Sequence, residues 1–153
     1  MSPPAQTFIA GYASLFWTPD LARDVVAPRA FSRSLRHRGA GDVKLLHQHD
    51  PKAVIGIWDV VTEDAKGLFV RGRIIEATPA ARYAASLVRA GVLDGLSIGF
   101  QARAAHPDKT GTLRILTDIE LWEVSLVSFP MLPAARFRVI HPSTDENRSA
   151  VAA

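Results

Sequence analysis

The chain has 153 residues, with 18 lysines and arginines, 15 acidic residues, a formal net charge of +3 and 48% hydrophobic residues. That length fits one domain with a core of its own, and the composition is that of a globular protein. The absence of cysteine excludes disulfides, thiolate zinc sites and cysteine nucleophiles. No run approaches the roughly 20 apolar residues of a membrane helix, and the start lacks a signal-peptide pattern. Both features suit a cytoplasmic protein with no membrane partner.

From the start, "MSPPAQ" (1–6) reads as a loose segment, followed by a folded domain over 7–140. The domain opens on a strand-like run at 7–17. A short helix is expected near Pro28, and it carries Arg29, Arg33, Arg36 and Arg38 with His37 among them. Of the 18 basic residues 14 are arginine, so this cluster suits phosphate or an acidic protein surface. A solvated helix face explains it as well. Aromatic residues are scarce there, which argues against a base-stacking platform and hence against nucleic acid as partner.

Further runs at 43–48, 54–62 and 68–76 read as strands, with "EDAKG" (63–67) closing a hairpin between the last two. "TPAARYAASLVRAG" reads as a helix. Thr78 is its N-cap, Pro79 its first residue and Gly91 its stop, with Ala80, Ala84, Leu87 and Val88 as the buried stripe. Strands follow at 95–104, 112–120 and 121–128, with "HPDKTG" (106–111) as a turn. From His141 onward, "HPSTDENRSAVAA" (141–153) has the composition of a disordered tail. The fold expected is a β-rich α+β domain of about seven strands, a closed or strongly bent antiparallel β-barrel with a few peripheral helices.

Three stretches hold polar groups that a purely structural strand does not need. "GLSIGF" (95–100) puts Gly95, Ser97 and Gly99 on one strand face, opposite Leu96, Ile98 and Phe100. In "LLHQHDP", His47 and His49 lie two apart and would share a face. In "LWEVSLVSFP", Glu123 shares a face with Ser125, and Trp122, Val124 and Leu126 fill the other. A serine, an imidazole and a carboxylate are the three parts of nucleophilic catalysis. The imidazole takes the hydroxyl proton, and the carboxylate fixes its tautomer and orientation. A rival use of "HQHD" is zinc binding by His47, His49 and Asp50 in a hydrolase, although His106 and His141 offer no convincing further ligand.

"GYASLF", "VVAPRAFSRSL", "VKLLHQHDPKAVIG", "GLFVRGRI", "LVRAGVLDGLSIGF" and "LWEVSLVSFPMLPAA" follow one another in this order. Together they resemble the caudoviral prohead serine proteases, a family similar in fold to the herpesvirus assembly proteases. The resemblance covers roughly residues 8–137. It implies Ser97 as nucleophile, His49 as general base and Glu123 as third member, with Asp50 and Glu120 as competitors. In the herpesvirus fold the third residue is a histidine about two dozen positions after the serine, and Glu123 follows Ser97 by 26.

Gly95 and Gly99 would keep the serine face open for an extended substrate peptide, paired as an added strand. The herpesvirus comparison points to the region of Ala135 and Arg136 for oxyanion donors. The resemblance further implies cleavage of scaffold, or of the scaffolding segment of a major capsid protein, inside an immature capsid in the bacterial host cytoplasm. It also implies self-cleavage, a homodimer by analogy with the herpesvirus enzymes, and no cofactor. A non-enzymatic basic capsid-assembly or nucleic-acid-binding module is the remaining alternative.

Overall fold

The computed structural model describes residues 2–142. In chain order it holds β1 (Gln6–Leu15), β2 (Asp24–Val26), α1 (Ser32–His37), a 3-10 turn (Ala40–Asp42), β3 (Lys44–His47), β4 (Val54–Glu63) and β5 (Gly67–Ile75). These are followed by α2 (Pro79–Arg89), β6 (Gly95–Pro107), β7 (Arg114–Val127) and β8 (Phe137–Val139). The eight strands form one sheet in the order β2-β7-β3-β4-β5-β1-β8, with β6 paired to β7.

Of the two forms expected, the strongly bent one is found. The ladder stays open, and β6 meets the approach to β8 only through a single bridge between Gly95 and Arg136. Irregularities in β1, β4 and the β6–β7 pair increase the local twist that bends the sheet. Two pairings correct the all-antiparallel expectation: β2 and β3 run parallel to β7 along the edge that β6 leaves free. The runs at 112–120 and 121–128 are one long strand, because nothing in "IELWE" offers turn chemistry.

Inside the bend, Trp58, Phe31, Ile9, Leu45, Leu68, Ile74, Leu96 and Leu121 are fully buried. The Trp58 indole N–H donates to the Val124 carbonyl at 3.2 Å, so the largest core residue is also polar-satisfied. On β7 the expected face of Trp122 is corrected. Gly99 pairs with Glu123 and Phe100 with Leu121, so Trp122 is the extra residue of a bulge. Leu121 and Val124 therefore point inward, while Trp122 turns out beneath the Arg38 guanidinium, 3.9 Å from its ring centre.

Both hairpins form as expected. In the first, the Asp64 carboxylate accepts from the Lys66 and Gly67 amides. In the second, Asp108 accepts from Thr112 and Leu113. Helix α2 keeps its predicted cap, with the Thr78 hydroxyl accepting the Ala81 N–H at 3.1 Å. Its stop, Gly91, has φ +74°. The buried stripe is turned slightly, to Ala81, Ala84, Ala85 and Val88, with Ala80 and Leu87 at its margin.

Helix α1 starts at Ser32 rather than near Pro28, because Arg29 has φ 72° and Phe31 is drawn into the core. There the Glu63 carboxylate accepts the Phe31 N–H at 2.7 Å and the Ser32 hydroxyl at 3.2 Å. The first strand stops at Leu15, ahead of Trp17 at φ 62°. Apart from His141 and Pro142, the tail expected at 141–153 lies outside the described residues. Among the described residues, no helix is long and apolar enough to cross a membrane.

Candidate functional site

Register across three strands assembles the site. On β7, Ser125 stands opposite Ser97 of β6 and Glu123 opposite Gly99, while β3 pairs Leu46 with Ser125 and Lys44 with Glu123. Partners in register present their side chains on one face of the sheet. Strand β3 ends at His47, and the next two residues take left-handed backbone, Gln48 with φ 55° and His49 with φ 60°. The expected shared face of His47 and His49 is therefore corrected, since strand alternation stops between them.

That turn carries His49 back over β7 and is held from several directions. The Gln48 amide donates to the Leu126 carbonyl at 2.9 Å. Its side chain bonds Ser128 twice, donating to the hydroxyl at 2.7 Å and accepting the backbone N–H at 3.2 Å.

His49 and Glu123 are joined directly, Nδ1 to Oε1. The second carboxylate oxygen, Oε2, accepts the Ser125 hydroxyl at 2.5 Å. The Ser125 oxygen in turn accepts the His49 backbone N–H at 3.1 Å. Ser125 is fully buried, and the Glu123 side chain is 12% exposed against 43% for His49. The hydrogen bond to Glu123 raises the His49 pKa above its ordinary 6.5. Burial opposes that rise, and the carboxylate's charge reinforces it.

Ser97 is 7% exposed and its hydroxyl has no hydrogen-bond partner among the described residues. It lines, together with His49, a cavity of about 230 Å³. Ser97 and His49 thus share one cavity, and Glu123 is bonded to His49. No bond joins His49 to Ser97.

The other predicted residues sort themselves around this group. At Gly99 the space for a side chain is filled by the Glu123 carboxylate, whose Oε1 would lie 2.2 Å from an added Cβ. At Gly95 it is filled by the Val127 carbonyl, 2.6 Å away, and by the Pro130 ring. Neither glycine leaves the bare face expected of it; each makes room for a neighbour within the protein. Asp50 turns away to cap its own loop, accepting the Lys52 N–H at 2.9 Å.

Glu120 belongs to a separate ionic group, 2.9 Å from Arg38 and 3.6 Å from Arg33, which also reaches Asp118 at 3.1 Å. Two of the four clustered arginines are thereby spent within the molecule. The Ala135 amide donates to the Leu132 carbonyl at 2.9 Å, so it is not free to face an oxyanion. The Arg136 guanidinium is held by Asp94 at 2.7 Å.

His47 stacks edge-on against Tyr83 of α2, and its Nε2 is buried without a hydrogen-bond partner among the described residues. Burial lowers its pKa, with Asp50 opposing. His47, His49 and Asp50 do not converge, and no metal-holding group of three such residues occurs among the described residues. Sequence reasoning set Ser125 on the face of Glu123 without giving it a role. Its signal was there in "EVS", where alternation puts the hydroxyl beside the carboxylate.

The prohead protease of Enterobacteria phage HK97 is 30% identical over 126 residues, covering 82% of this chain and 56% of that protein. The prohead protease of Escherichia phage T5 is 33% identical over 124 residues, covering 80% and 57%. The chain thus spans little more than half the length of these curated relatives.

Among solved structures, the bacteriophage T4 capsid assembly protease superposes with a TM-score of 0.63 at 18% identity, covering 78% of this chain and 80% of that one. The Kaposi's sarcoma-associated herpesvirus protease in complex with a hexapeptide phosphonate inhibitor gives 0.62 at 16% identity, covering 90% and 66%. These last two likenesses carry the fold. Residues 2–149 match the family described as Caudovirus prohead serine protease, and the chain belongs to that family.

Proposed function

We propose that Ser97, His49 and Glu123 are the nucleophile, general base and orienting acid of an endopeptidase that matures a tailed-phage-like capsid from within. The observation that carries this reading is the arrangement of His49. Its Nδ1 is held by Glu123, and its ring lines the same cavity as the otherwise unbonded Ser97 hydroxyl.

With Nδ1 engaged, Nε2 is the ring nitrogen left to take the Ser97 proton as Oγ attacks a peptide carbonyl. Glu123 stabilises the imidazolium that forms, and the same Nε2 then returns the proton to the departing amine. Water repeats the sequence on the acyl-enzyme. The Ser97–His49 bond closes as the substrate seats, since such bonds are often long until the reacting complex forms.

The substrate peptide lies extended along the outer edge of β6. Beyond Leu96, whose amide is taken by the Ala135 carbonyl, that edge pairs with no strand among the described residues. Strand addition there uses backbone hydrogen bonds, and Gly95 and Gly99 contribute through their backbones alone. The substrates are scaffold, or the scaffolding segment of the major capsid protein, and the protease's own chain. They are cut inside the immature particle in the host cytoplasm. Co-expression with the cognate capsid protein, followed by mass measurement of the products, tests the reading. Cleavage that depends on Ser97 supports it, and cleavage unchanged by Ser97→Ala sinks it.

A further inference from the structure

The cavity beside Ser97 has more chemistry than the reaction above uses. Its walls are mostly apolar, with Ile98, Leu116, Met131 and Leu132 among them. Four polar side chains outside the catalytic group also line it: Ser14, Thr18, Asp20 and Asp24. The Thr18 hydroxyl donates to the Phe16 carbonyl at 3.4 Å. Ser14 is 3% exposed, and its hydroxyl has no hydrogen-bond partner among the described residues. The Ser14 hydroxyl is therefore available to a group that enters the cavity.

Asp20 uses one carboxylate oxygen, Oδ1, to accept the Ala22 and Asp24 amides at 2.8 and 2.9 Å, which fixes the loop between β1 and β2. Its second oxygen, Oδ2, makes no hydrogen bond or ion pair among the described residues, although the charge of Arg114 reaches the carboxylate. The neighbouring Asp24 is different. Arg114 grips it with two bonds of 2.8 and 2.9 Å, so its charge is spent. Burial raises the Asp20 pKa and the charge of Asp24 adds to it, while the Ala22 and Asp24 amides and Arg114 oppose the rise. The loop is anchored over the cavity by the Leu21 amide, which donates to the Met131 carbonyl at 2.9 Å.

We propose that this cavity is the specificity pocket for the substrate residue on the amino side of the cleaved bond. It takes a long cationic side chain, lysine or arginine. The apolar walls take the methylene stem, the free Asp20 oxygen meets the cation, and the Ser14 hydroxyl accepts a further N–H. A cavity of about 230 Å³ is ample for such a chain. The inference rests on the proteolytic reading above and names its substrate class.

The test compares peptides that differ only in that residue: lysine, arginine, its uncharged isostere norleucine, and glutamate. Wild-type protein should favour lysine or arginine over norleucine by about 10²-fold in kcat/KM, the scale expected of one desolvated charge pair. Asp20→Asn keeps an oxygen for the Ala22 and Asp24 amides and should bring that ratio close to one. Peptide phosphonates carrying lysine or norleucine, followed by intact mass of the wild-type protein, give the same comparison without any variant.

Equal rates for lysine and norleucine, or preference for glutamate, would overturn the pocket while leaving the protease reading intact. A ratio unchanged by Asp20→Asn in a folded protein would also overturn it. If no peptide is cut and no phosphonate attaches at Ser97, the protease reading itself falls, and the pocket with it.

Discussion

A methyl group placed on Gly99 would lie 2.2 Å from the Oε1 oxygen of Glu123, the oxygen that binds the His49 ring. The glycine is therefore a steric condition for the carboxylate's position. The atoms in conflict all belong to the Glu123 side chain, so the backbone of the pair can stay in place. Gly99→Ala should lower kcat/KM by about 10²-fold or more, the loss typical when a catalytic group is misplaced by about 1 Å. Thermal unfolding and peptide cleavage on the same sample separate the two effects. A fully active variant would refute this account of Gly99.

The pH profile follows from the raised His49 pKa. A base acts only when unprotonated, so kcat/KM should rise with pH through a midpoint above 6.5. In Glu123→Gln the carboxylate's charge is removed and burial remains, so the midpoint should move down from the wild-type value. Stability carries the opposite trend. The folded state holds the His49 proton more tightly than the unfolded chain, so the pair's contribution is present below about pH 6.5. It is lost as pH rises through the folded value. Urea midpoints for the two proteins across pH 5 to 9 should converge toward the alkaline end.

Ser97→Ala should abolish cleavage of peptides while unfolding at nearly the wild-type temperature, since the hydroxyl makes no bond within the described protein. His49→Ala should be equally inactive and the double variant no worse, because the residues act as a unit. Additive losses in the double variant would contradict a shared step.

Ser125→Ala removes the hydroxyl that joins the His49 backbone to the Glu123 carboxylate. It leaves a buried amide and a carboxylate oxygen each short of a partner, a cost of about 1–3 kcal/mol in stability. It should also lower the pH midpoint of kcat/KM, as the carboxylate loses its fixed orientation. Chemical denaturation and the pH profile together distinguish this positioning role from one in stability alone.

Glu120→Gln provides the contrast. It breaks the contacts with Arg33 and Arg38, away from the Glu123–His49 pair. It should reduce stability modestly and leave the pH midpoint of cleavage where it was. A shifted midpoint would return Glu120 to the catalytic group.

Local chemistry made much of this protein legible in its sequence. The Thr78-Pro79 start and Gly91 stop of α2, the acidic turns at Asp64 and Asp108, and the alternation of "GLSIGF" each depend on residues close in the chain. Steric and hydrogen-bonding preferences act there directly. Ser97, His49 and Glu123 were also identifiable as types in three separate stretches. Only the tertiary structure decided that Glu123, and neither Asp50 nor Glu120, holds the imidazole, because that choice depends on parallel pairing of β3 with β7 and on the left-handed turn at Gln48 and His49. The bulge that turns Trp122 outward, the carboxylate that fills the space at Gly99, and the bridging role of Ser125 are likewise set by strand register. Register is a property of two segments at once, fixed by how both bury their apolar faces, and neither segment carries it alone.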